Sequence, residues 1–417
     1  MLIRRDNYLR QLISGRGNGL IKIVTGIRRC GKSFLLSRIF RDWLMDNGTP
    51  EDHIVHIPLD DRKHNELRDP DKFLEYIDSV IGDGGSYILM VDEIQMMKDF
   101  VEVLNSLLYR PNIDVYVTGS NSKFLSSDIV TEFRGRGDEI HMYPLSFGEY
   151  YEAIGGDRSV AWKTYYTFGG LPQVVQLEDH QKKMRYLENL MSTVFIKDIL
   201  ERHKVRNGAE LDELTKIIAS SIGSSTNPTK LIKTFKSLKN IIITNKTVSK
   251  YIDYMEDAFL IERAIRYNIK GKKYINTLSK YYFSDLGLRN ATLEFRQLEE
   301  THIMENIIYN ELLIRGFSVD VGMVEIRERN KSGVLVRKQL EVDFVANSGN
   351  ERYYIQSALS MPDEEKKAQE TASFRNIDDS FKKIIIVRND IMPYTDEQGY
   401  LIIGLFDFLL GQSPFKN

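Results

Sequence analysis

A glycine-rich segment followed by lysine and serine is the first stretch whose residue types and spacing could do chemistry. It reads GIRRCGKS over residues 26–33, the pattern G-x-x-x-x-G-K-S. The backbone N–H groups of such a loop wrap phosphates, and the start of a following helix adds a positive dipole end. Lys32 would reach the β- and γ-phosphates of a nucleotide, and the Ser33 hydroxyl would bind Mg²⁺. The segment therefore predicts a nucleoside triphosphate site, with ATP and Mg²⁺ as its ligands.

The predicted nucleotide-binding residues run from the first glycine of the loop into the first turn of the next helix. They are Gly26, Ile27, Arg28, Arg29, Cys30, Gly31, Lys32, Ser33 and Phe34. The loop follows an apolar, β-branched run, LIKIVTG (20–26), and precedes a helical pattern. This strand–loop–helix context distinguishes a phosphate loop from a chance run of glycines.

An acidic pair, Asp92-Glu93, ends the apolar run YILMVDE (87–93). Asp92 would hold Mg²⁺ through water, and Glu93 would orient or deprotonate the water that attacks the γ-phosphate. Such a pair alone is often a solvated strand end. Behind a phosphate loop it predicts hydrolysis as well as binding, with Lys32, Asp92 and Glu93 as the catalytic residues.

Two further segments hold candidates for sensing the γ-phosphate. TGSNS (118–122) follows another predicted strand, so Ser120 or Asn121 would lie beside the γ-phosphate unless the segment is an ordinary turn. EFRGRGDE (132–139) contains Arg134 and Arg136, either of which could stabilise transition-state charge, in its own chain or in a neighbouring copy. A surface loop is the alternative for that segment.

The elements that must position these residues are short apolar strands that alternate with helical patterns. After LIKIVTG, further strands are predicted at DHIVHIPLD (52–60), SYILMVDE (86–93), IDVYVTGS (113–120) and DEIHMYPLS (138–146). Near-continuous apolar strands separated by helices predict a parallel α/β sheet buried on both faces. We therefore predict a P-loop NTPase fold over residues 1–150, a helical lid region over 151–205, short helices followed by strand, basic turn and strand over 206–295, and a further α/β domain over 296–417.

Composition limits the classes of protein. The 417 residues are 42% hydrophobic and 28% charged, which is typical of a soluble globular protein of several domains. The net charge is −2, so attraction of nucleic acid would have to be local. The single cysteine excludes an internal disulfide, and no apolar run is long enough for a membrane span. These features predict a cytoplasmic protein.

A local excess of positive charge lies in the third segment. Residues 230–282 hold twelve Lys/Arg and four Asp/Glu, a balance of 12 − 4 = +8. The predicted DNA contacts are at the start of a helix and on a following hairpin: Lys246, Lys250, Lys270, Lys272 and Lys273. Contact with a protein, with solvated lysines, is the alternative.

The fourth segment contains part of a nuclease-type metal site. Glu341 and Asp343 in EVDFV share one face of a predicted strand, and the preceding helix offers Glu305 and Glu311. On the next strand, Gln356 stands where such sites have an acid, and Ala358 where they have a lysine. Lys366 or Lys367 could replace that lysine, or both could be ordinary exposed residues. Glu305, Glu311, Glu341, Asp343 and Gln356 thus form a candidate vestigial site, and cleavage is not expected.

The motifs together resemble a known family. GIRRCGKS, ILMVDEIQ, VTGSNSKFL, the Gly135-Arg136 pair and YPLSFGEY (143–150) resemble the ATPase domain of a prokaryotic group in the AAA+ superfamily. In that group a C-terminal domain of the DUF4143 type follows the ATPase. TFGGLPQVV (167–175), TVSKYIDYMEDAFLI and KYYFSDLGLRN are similar to its middle part. ENIIYNELLIRG, EVDFV and YYIQS are similar to its C-terminal core.

The resemblance implies a winged helix followed by a restriction-endonuclease-like core. It implies Mg²⁺-dependent ATP hydrolysis that changes the conformation of the C-terminal domains, with DNA as a candidate partner. One alternative is a signalling scaffold that binds ATP and recruits a protein partner. Another is a Mg²⁺-dependent DNA nuclease. The sequence leaves open the client and the oligomeric state.

Overall fold

The chain forms two compact units in a computed structural model that describes residues 2–82, 84–119, 135–205, 207–239, 243–329, 334–411 and 415. The N-terminal unit is Met1–Pro144 with two short later segments, Leu171–Gln173 and Asp257–Phe259. The C-terminal unit contains the remaining segments, Leu145–Gly170, Val174–Glu256 and Leu260–Asn417.

A five-stranded parallel sheet is the centre of the N-terminal unit. Its strands are β1 (Ile21–Thr25), β2 (Ile54–Pro58), β3 (Tyr87–Asp92), β4 (Ile113–Thr118) and β5 (Gly137–His141). Their order is β2-β3-β4-β1-β5, and every neighbouring pair is parallel. The predicted α/β fold with a parallel sheet is confirmed.

Among the described residues of the N-terminal unit, four helices accompany these strands. They are α1 (Asp6–Ser14), α2, α3 (Pro70–Val80) and α4 (Phe100–Leu107). Helix α2 begins as Lys32–Phe34, continues as a π-helical segment, Leu35–Phe40, and ends as Arg41–Asp46. Helix α3 begins where the Asp69 side chain accepts from the Lys72 backbone N–H, with Pro70 in its first turn.

The apolar strand residues explain why this sheet forms. Strands β1 and β3 are buried at every position, as a strand covered on both faces requires. Strand β4 lies between β1 and β3, so the carboxyl ends of all three meet at one edge of the sheet. That edge is where the loop at residues 26–33 and the Asp92-Glu93 pair both begin.

The first part of the C-terminal unit is helical. Its helices and those of the adjoining segments are α5 (Phe147–Ile154), α6 (Arg158–Phe168), α7 (Pro172–Val175), α8, α9 (Gly208–Ser220), α10 (Pro228–Lys239) and α11 (Asn245–Asp257). Helix α8 runs from His180–Leu190 through a π-helical segment, Met191–Ile196, to Lys197–Arg202.

A mixed sheet of eight strands forms the rest of this unit. Its strands are β6 (Ile261–Asn268), β7 (Lys273–Phe283), β8 (Ser318–Arg329), β9 (Leu335–Ser348), β10 (Glu351–Ala358), β11 (Lys382–Val387), β12 (Tyr394–Thr395) and β13 (Leu401–Gly404). The order is β12-β13-β11-β10-β9-β8-β6-β7. Strand β6 pairs with β7 antiparallel and with β8 parallel, so one sheet contains strands from both sides of residue 295.

Four helices pack among these strands. They are α12 (Leu286–Thr292), α13 (Glu300–Ile314), α14 (Glu364–Glu370) and α15 (Leu405–Leu409). Helix α13 is buried over most of its length, and the Asn306 side chain bonds both the N–H and the carbonyl of Phe283 at the end of β7. The α13 side chains therefore reach the interior face of the sheet.

The glycine pair of TFGGLPQVV is required by close packing within the C-terminal unit. Gly170 donates its N–H to Asp285 Oδ2 at 2.8 Å, and Asp285 Oδ1 accepts from Leu288 N at 3.0 Å at the start of α12. A Cβ on Gly169 would lie 2.3 Å from Asp285 Oδ1, and one on Gly170 would lie 2.3 Å from Leu145 O. No side chain larger than hydrogen fits at either position.

Within the part of the chain that the structure describes, no helix combines the length and the apolar character that crossing a membrane requires.

Candidate functional site

The predicted phosphate loop leaves the carboxyl end of β1 and wraps toward the start of α2. Its backbone is left-handed at Gly26 (φ 135°), Arg29 (φ 69°) and Gly31 (φ 106°). A Cβ on Gly26 would lie 2.1 Å from Met142 O, which follows β5. Glycine is therefore required at residue 26 both for its conformation and for the close approach of the chain after β5.

Lys32 places its amine inside this loop. Its side chain is buried, with the residue 5% exposed, and Nζ donates to the carbonyls of Gly26 at 2.9 Å and Ile27 at 3.1 Å. Ser33 and Phe34, the next two residues of α2, are exposed. The loop therefore encloses the Lys32 ammonium, and an exposed serine follows it in the first turn of α2.

Arg5 supports the loop from outside the motif. Its guanidinium donates to Cys30 O at 3.3 Å and to Tyr143 O at 2.6 Å, and it lies over the Tyr8 ring. It therefore fixes the phosphate loop to the segment after β5. We did not predict this role, because nothing near Arg5 in the sequence distinguishes it from the other N-terminal charges.

The acidic pair lies where it was predicted, at the end of β3. Asp92 is buried, and its carboxylate accepts a hydrogen bond from the Thr118 hydroxyl at the end of β4. The same Thr118 oxygen accepts from the Glu93 N–H at 3.0 Å. Glu93 has a left-handed backbone (φ 52°), and its carboxylate accepts from the Gln95 amide. Thr118 thus positions both acids, a role that sequence reasoning missed.

His141 completes this edge of the sheet at the end of β5. Its Nδ1 lies 2.9 Å from Thr25 Oγ1, and its ring meets those of Tyr143 and Phe259 edge-on, the latter with centroids 4.7 Å apart. Burial, and secondarily the charge of Lys32, lowers the pKa of His141 to about 4. The imidazole is therefore neutral beside the loop at physiological pH.

The predicted γ-phosphate sensors have different outcomes. Ser120, Asn121 and Arg134 lie outside the described residues. Arg136 precedes β5, and its carbonyl accepts from Ile21 N at 2.9 Å, at the amino end of the sheet. Since β1 has five residues at about 3.3 Å each, Arg136 begins roughly 16 Å from the phosphate loop of its own chain. A role at the phosphates would need a neighbouring copy and stays a prediction.

Three of the predicted nuclease-type residues meet in the C-terminal unit. Glu305 on α13 and Glu341 and Asp343 on β9 surround the Nζ of Lys280, which comes from β7. We call these four residues the carboxylate–lysine cluster. Sequence reasoning missed Lys280, because it looked for a lysine at the position of Ala358 on β10.

Electrostatics in the cluster favour the charged lysine. Burial would lower the pKa of Lys280, but Glu305, Asp343 and Glu341 outweigh it and raise the pKa above its usual value. Burial, followed by the neighbouring Glu305, raises the pKa of Asp343 to about 7. The ammonium form of Lys280 is therefore favoured, and the carboxylate form of Asp343 is disfavoured.

The other predicted members of the nuclease-type site are not part of the carboxylate–lysine cluster. Glu311 faces away and pairs with Arg315 at 2.7 Å, so its assignment to the site was wrong. Gln356 Oε1 is buried and has no hydrogen-bond partner among the described residues. Lys366 and Lys367 pair with Glu370 and Asp396, so neither replaces the missing lysine.

The predicted DNA-contact lysines are all on the surface. Lys246 and Lys250 are exposed on α11, opposite its buried face, and Lys270, Lys272 and Lys273 are exposed around the turn between β6 and β7. Three more exposed lysines follow helical spacing on α10: Lys230, Lys233 and Lys236. None of these eight pairs with a carboxylate in the described part of the chain.

Comparison with known families defines the class of protein. A family model described as an AAA domain matches residues 18–151. A second, described as a domain of unknown function (DUF8612), matches residues 159–299. The fold of this part of the chain is that of an AAA-type P-loop domain. The match over 159–299 is to DUF8612, so the DUF4143 type stays a prediction.

Whole-length relatives give the family. An uncharacterized protein of Haemophilus influenzae is 32% identical over 415 residues, covering 98% of this chain and 99% of the relative. An uncharacterized protein of Methanocaldococcus jannaschii is 27% identical over 396 residues, covering 90% and 82%. The chain belongs to the same family as the Haemophilus protein.

Solved structures are similar only at low scores. The Orc1 protein of Aeropyrum pernix, in complex with DNA, is 13% identical with a TM-score of 0.28, covering 70% of this chain and 93% of that chain. Cdc6p of Pyrobaculum aerophilum is 14% identical with a TM-score of 0.31, covering 74% and 95%. At these scores the similarity implies nothing about ligands or partners.

Proposed function

We propose that this protein binds ATP with Mg²⁺ and hydrolyses it at the loop over residues 26–33. The observation that carries the proposal is the buried amine of Lys32 inside the loop, at the same sheet edge as Asp92 and Glu93. A basic loop and an acidic pair at one edge supply the two kinds of group that phosphoryl transfer to water requires.

The residues present fit a magnesium ion. Ser33 is exposed in the first turn of α2, and Asp92 is the last residue of β3. The Ser33 hydroxyl and the Asp92 carboxylate are oxygen ligands of the kind that Mg²⁺ prefers. The ion would neutralise phosphate charge when bound. Lys32 would hold the phosphates, and the glycines would let backbone N–H groups approach them.

Glu93 is the residue we propose as the orienting group for water. Its backbone is left-handed, the Thr118 hydroxyl accepts from its N–H, and its carboxylate accepts from the Gln95 amide. A carboxylate held in this way can accept a proton or a hydrogen bond from water at a fixed position.

Single substitutions test this function. Lys32→Ala should abolish ATP binding, because the loop loses its cation. Glu93→Gln should retain ATP binding and lower turnover by about 100-fold or more, since an amide is a poor base. Glu102→Gln, an exposed acid on α4, is the matched control and should behave like the native chain. Unchanged turnover in both Lys32→Ala and Glu93→Gln would refute the proposal.

We further propose that the nucleotide state is passed on through the TFGGLPQVV segment. A Cβ on Gly31 of the phosphate loop would lie 3.8 Å from Pro172 Cγ, so this proline adjoins the loop. Two residues earlier in the chain, Gly170 is bonded to Asp285. A shift of the loop on hydrolysis would therefore pull on a segment that is anchored next to α12.

Amide hydrogen exchange over residues 165–175 should differ between the ATP-bound Glu93→Gln variant and the ADP-bound native chain, and identical exchange would exclude this route.

DNA is the partner that we propose for the C-terminal unit. Helices α9, α10 and α11 precede the β6–β7 hairpin, and Thr226, between α9 and α10, bridges to Ser279 on β7. This order is that of a winged helix, and its α10, α11 and hairpin turn carry the eight exposed lysines. Cations without carboxylate partners are suited to phosphate contacts.

Salt-dependent binding of duplex DNA tests this partner. Replacing Lys246 and Lys250 by alanine should weaken binding and reduce the slope of log Kobs against log salt by about one for each lost phosphate contact. The matched control replaces Lys163 and Lys182, two exposed lysines outside this region. If the native chain binds no DNA, retains ATP and turns it over very slowly, a scaffold that recruits a protein is the better account.

A further inference from the structure

The carboxylate–lysine cluster has the composition of a metal site with a lysine in the metal's position. We infer that the Lys280 ammonium takes the place of a divalent cation between Glu305, Glu341 and Asp343, so that the native cluster binds no metal ion. This inference is independent of the ATPase proposal, since the cluster lies in the C-terminal unit.

The geometry around Lys280 is that of a coordinated cation. Its Nζ lies 2.8 Å from Glu305 Oε1, 2.8 Å from Glu341 Oε1 and 3.9 Å from Asp343 Oδ1. The first two distances are those of charge-assisted hydrogen bonds, and the third is an electrostatic contact only. The side chain is 4% exposed, so solvent does little to weaken these interactions.

Neighbouring groups fix the carboxylates that face the ammonium. Tyr282 donates its hydroxyl to Glu305 Oε1 at 2.6 Å, and Ser225 Oγ donates to Glu341 Oε2 at 3.3 Å. The backbone N–H of Ser357 donates to Asp343 Oδ2 at 2.8 Å. Each acid therefore accepts a hydrogen bond from a donor other than Lys280.

A tethered ammonium competes well with an ion from solution. Three carboxylates this close would repel one another without a cation, and Lys280 supplies one at an effective concentration that a dissolved ion cannot match. A divalent ion would have to displace the ammonium and leave it buried without its partners, which is strongly unfavourable. In the described part of the chain, no group of three or more His, Cys, Asp or Glu is arranged to hold a metal ion.

The inference has a consequence for the fold. Lys280 comes from the hairpin strand β7, Glu305 from α13 and the other two acids from β9. The ammonium therefore connects the hairpin to the nuclease-like part through charge, in addition to the sheet that both share.

Substitution of the lysine tests the inference directly. Lys280→Met keeps the length of the side chain and removes its charge, and Lys280→Arg is the matched control that keeps the charge. Mn²⁺ is titrated without nucleotide into the full-length native chain and each variant by calorimetry, with circular dichroism to check folding. Lys280→Met should bind Mn²⁺ at least ten-fold more tightly than the native chain and Lys280→Arg. The gain should disappear when Asp343→Asn is added.

The results that would overturn the inference are equally definite. One is a native chain that binds Mn²⁺ at a site lost in Asp343→Asn, or that cleaves DNA with Mg²⁺ or Mn²⁺ in an Asp343-dependent way. Another is a folded Lys280→Met that gains no Mn²⁺ affinity. If Lys280→Met does not fold, the native titration and its Asp343→Asn comparison still decide, because the inference requires that neither shows Mn²⁺ at this cluster.

Discussion

Thr118 is the residue on which the geometry of the acidic pair depends most. Its single hydroxyl donates to the Asp92 carboxylate and accepts from the Glu93 N–H, and it is fully buried at the end of β4. A hydroxyl can do both at once because it has one proton and two lone pairs. The two acids of β3 are thus held by a residue of the neighbouring strand.

Replacing Thr118 by valine should separate this positioning role from nucleotide binding. Valine has a similar shape and no hydrogen-bonding group, so Asp92 and the Glu93 N–H each lose a partner, at a cost of about 1–3 kcal/mol each. We expect ATP turnover to fall at least ten-fold while the Kd for ATP changes much less. Thr118→Ser keeps the hydroxyl and should retain most activity. Equal kcat values for Thr118→Val and the native chain would contradict the role.

His141 should make the protein sensitive to acid. Its pKa is lowered to about 4 in the folded protein, whereas the unfolded chain has the ordinary value of about 6.5. Between these two pH values the imidazole is therefore protonated in the unfolded chain and neutral in the folded protein. The free energy of unfolding is then unaffected above about pH 6.5 and falls as the pH decreases toward 4, by roughly 2–3 kcal/mol at about pH 4.5. In thermal unfolding, His141→Asn should lose less stability between about pH 6.5 and 4.5 than the native chain. His302→Asn, at an exposed position, should lose as much as the native chain.

The sequence predicted the residues that lie within continuous motifs. It did not predict the residues that contact those motifs from elsewhere in the chain. Lys32, Asp92 and Glu93 lie within short patterns whose chemistry is recognisable without the fold. Thr118 and Arg5 act on those patterns from elsewhere in the chain, and their contacts depend on which strands become neighbours. The same applies to Lys280, which reaches the acids of β9 only because β7 packs beside α13.

At the scale of elements, the segment between α6 and α7 has the least freedom. Gly169 and Gly170 fit between Asp285 and the Leu145 carbonyl, and Leu145 N also donates to Gly170 O at 2.8 Å. The space next to the Cα of Gly169 is therefore occupied by the Asp285 carboxylate, and the space next to the Cα of Gly170 by the Leu145 carbonyl. The glycines are required for space here, and at Gly169 also for its positive φ of 76°.

Gly170→Ala should destabilise the C-terminal unit strongly. Its Cβ would meet a backbone carbonyl that cannot turn away, and overpacking of this kind costs about 1–3 kcal/mol or more. We expect a thermal unfolding temperature several degrees below that of the native chain. The matched control is Gly82→Ala, where a Cβ meets nothing within 4 Å and φ is not positive. Equal unfolding temperatures for the two variants would show that the segment can relax.

The five strands of the sheet in the N-terminal unit follow apolar runs closely, so the sequence predicted them. The strand that pairs with the β6–β7 hairpin could not be predicted in the same way. The hairpin's parallel pairing with β8 joins residues 266–268 to 321–323, across strand β7 and helices α12 and α13. Pairing between strands so far apart in the chain depends on packing in three dimensions. The local pattern of apolar and polar residues does not predict it.

At the scale of the whole molecule, the shared sheet should make the C-terminal segments depend on one another. A fragment of residues 145–295 would leave β6 without β8 and Lys280 without its three acids. An uncovered strand edge and an unpaired buried charge favour aggregation and unfolding. We expect this fragment to be insoluble or poorly folded, whereas residues 145–417, which retain the whole sheet, should be more soluble. Near-UV circular dichroism of the soluble fractions would show whether 145–295 folds by itself.

The late segment Asp257–Phe259 of the N-terminal unit has a consequence for how the protein is made on the ribosome. The ring of Phe259 packs on His141, yet 259 − 141 = 118 residues separate them in the chain. At roughly 5–20 residues per second, the ribosome needs on the order of ten seconds to synthesise that interval. Throughout this time the nascent N-terminal unit has its loop over residues 26–33 but lacks the Asp257–Phe259 segment. Completion of the unit is therefore timed by translation of a segment that lies next to the hairpin strands.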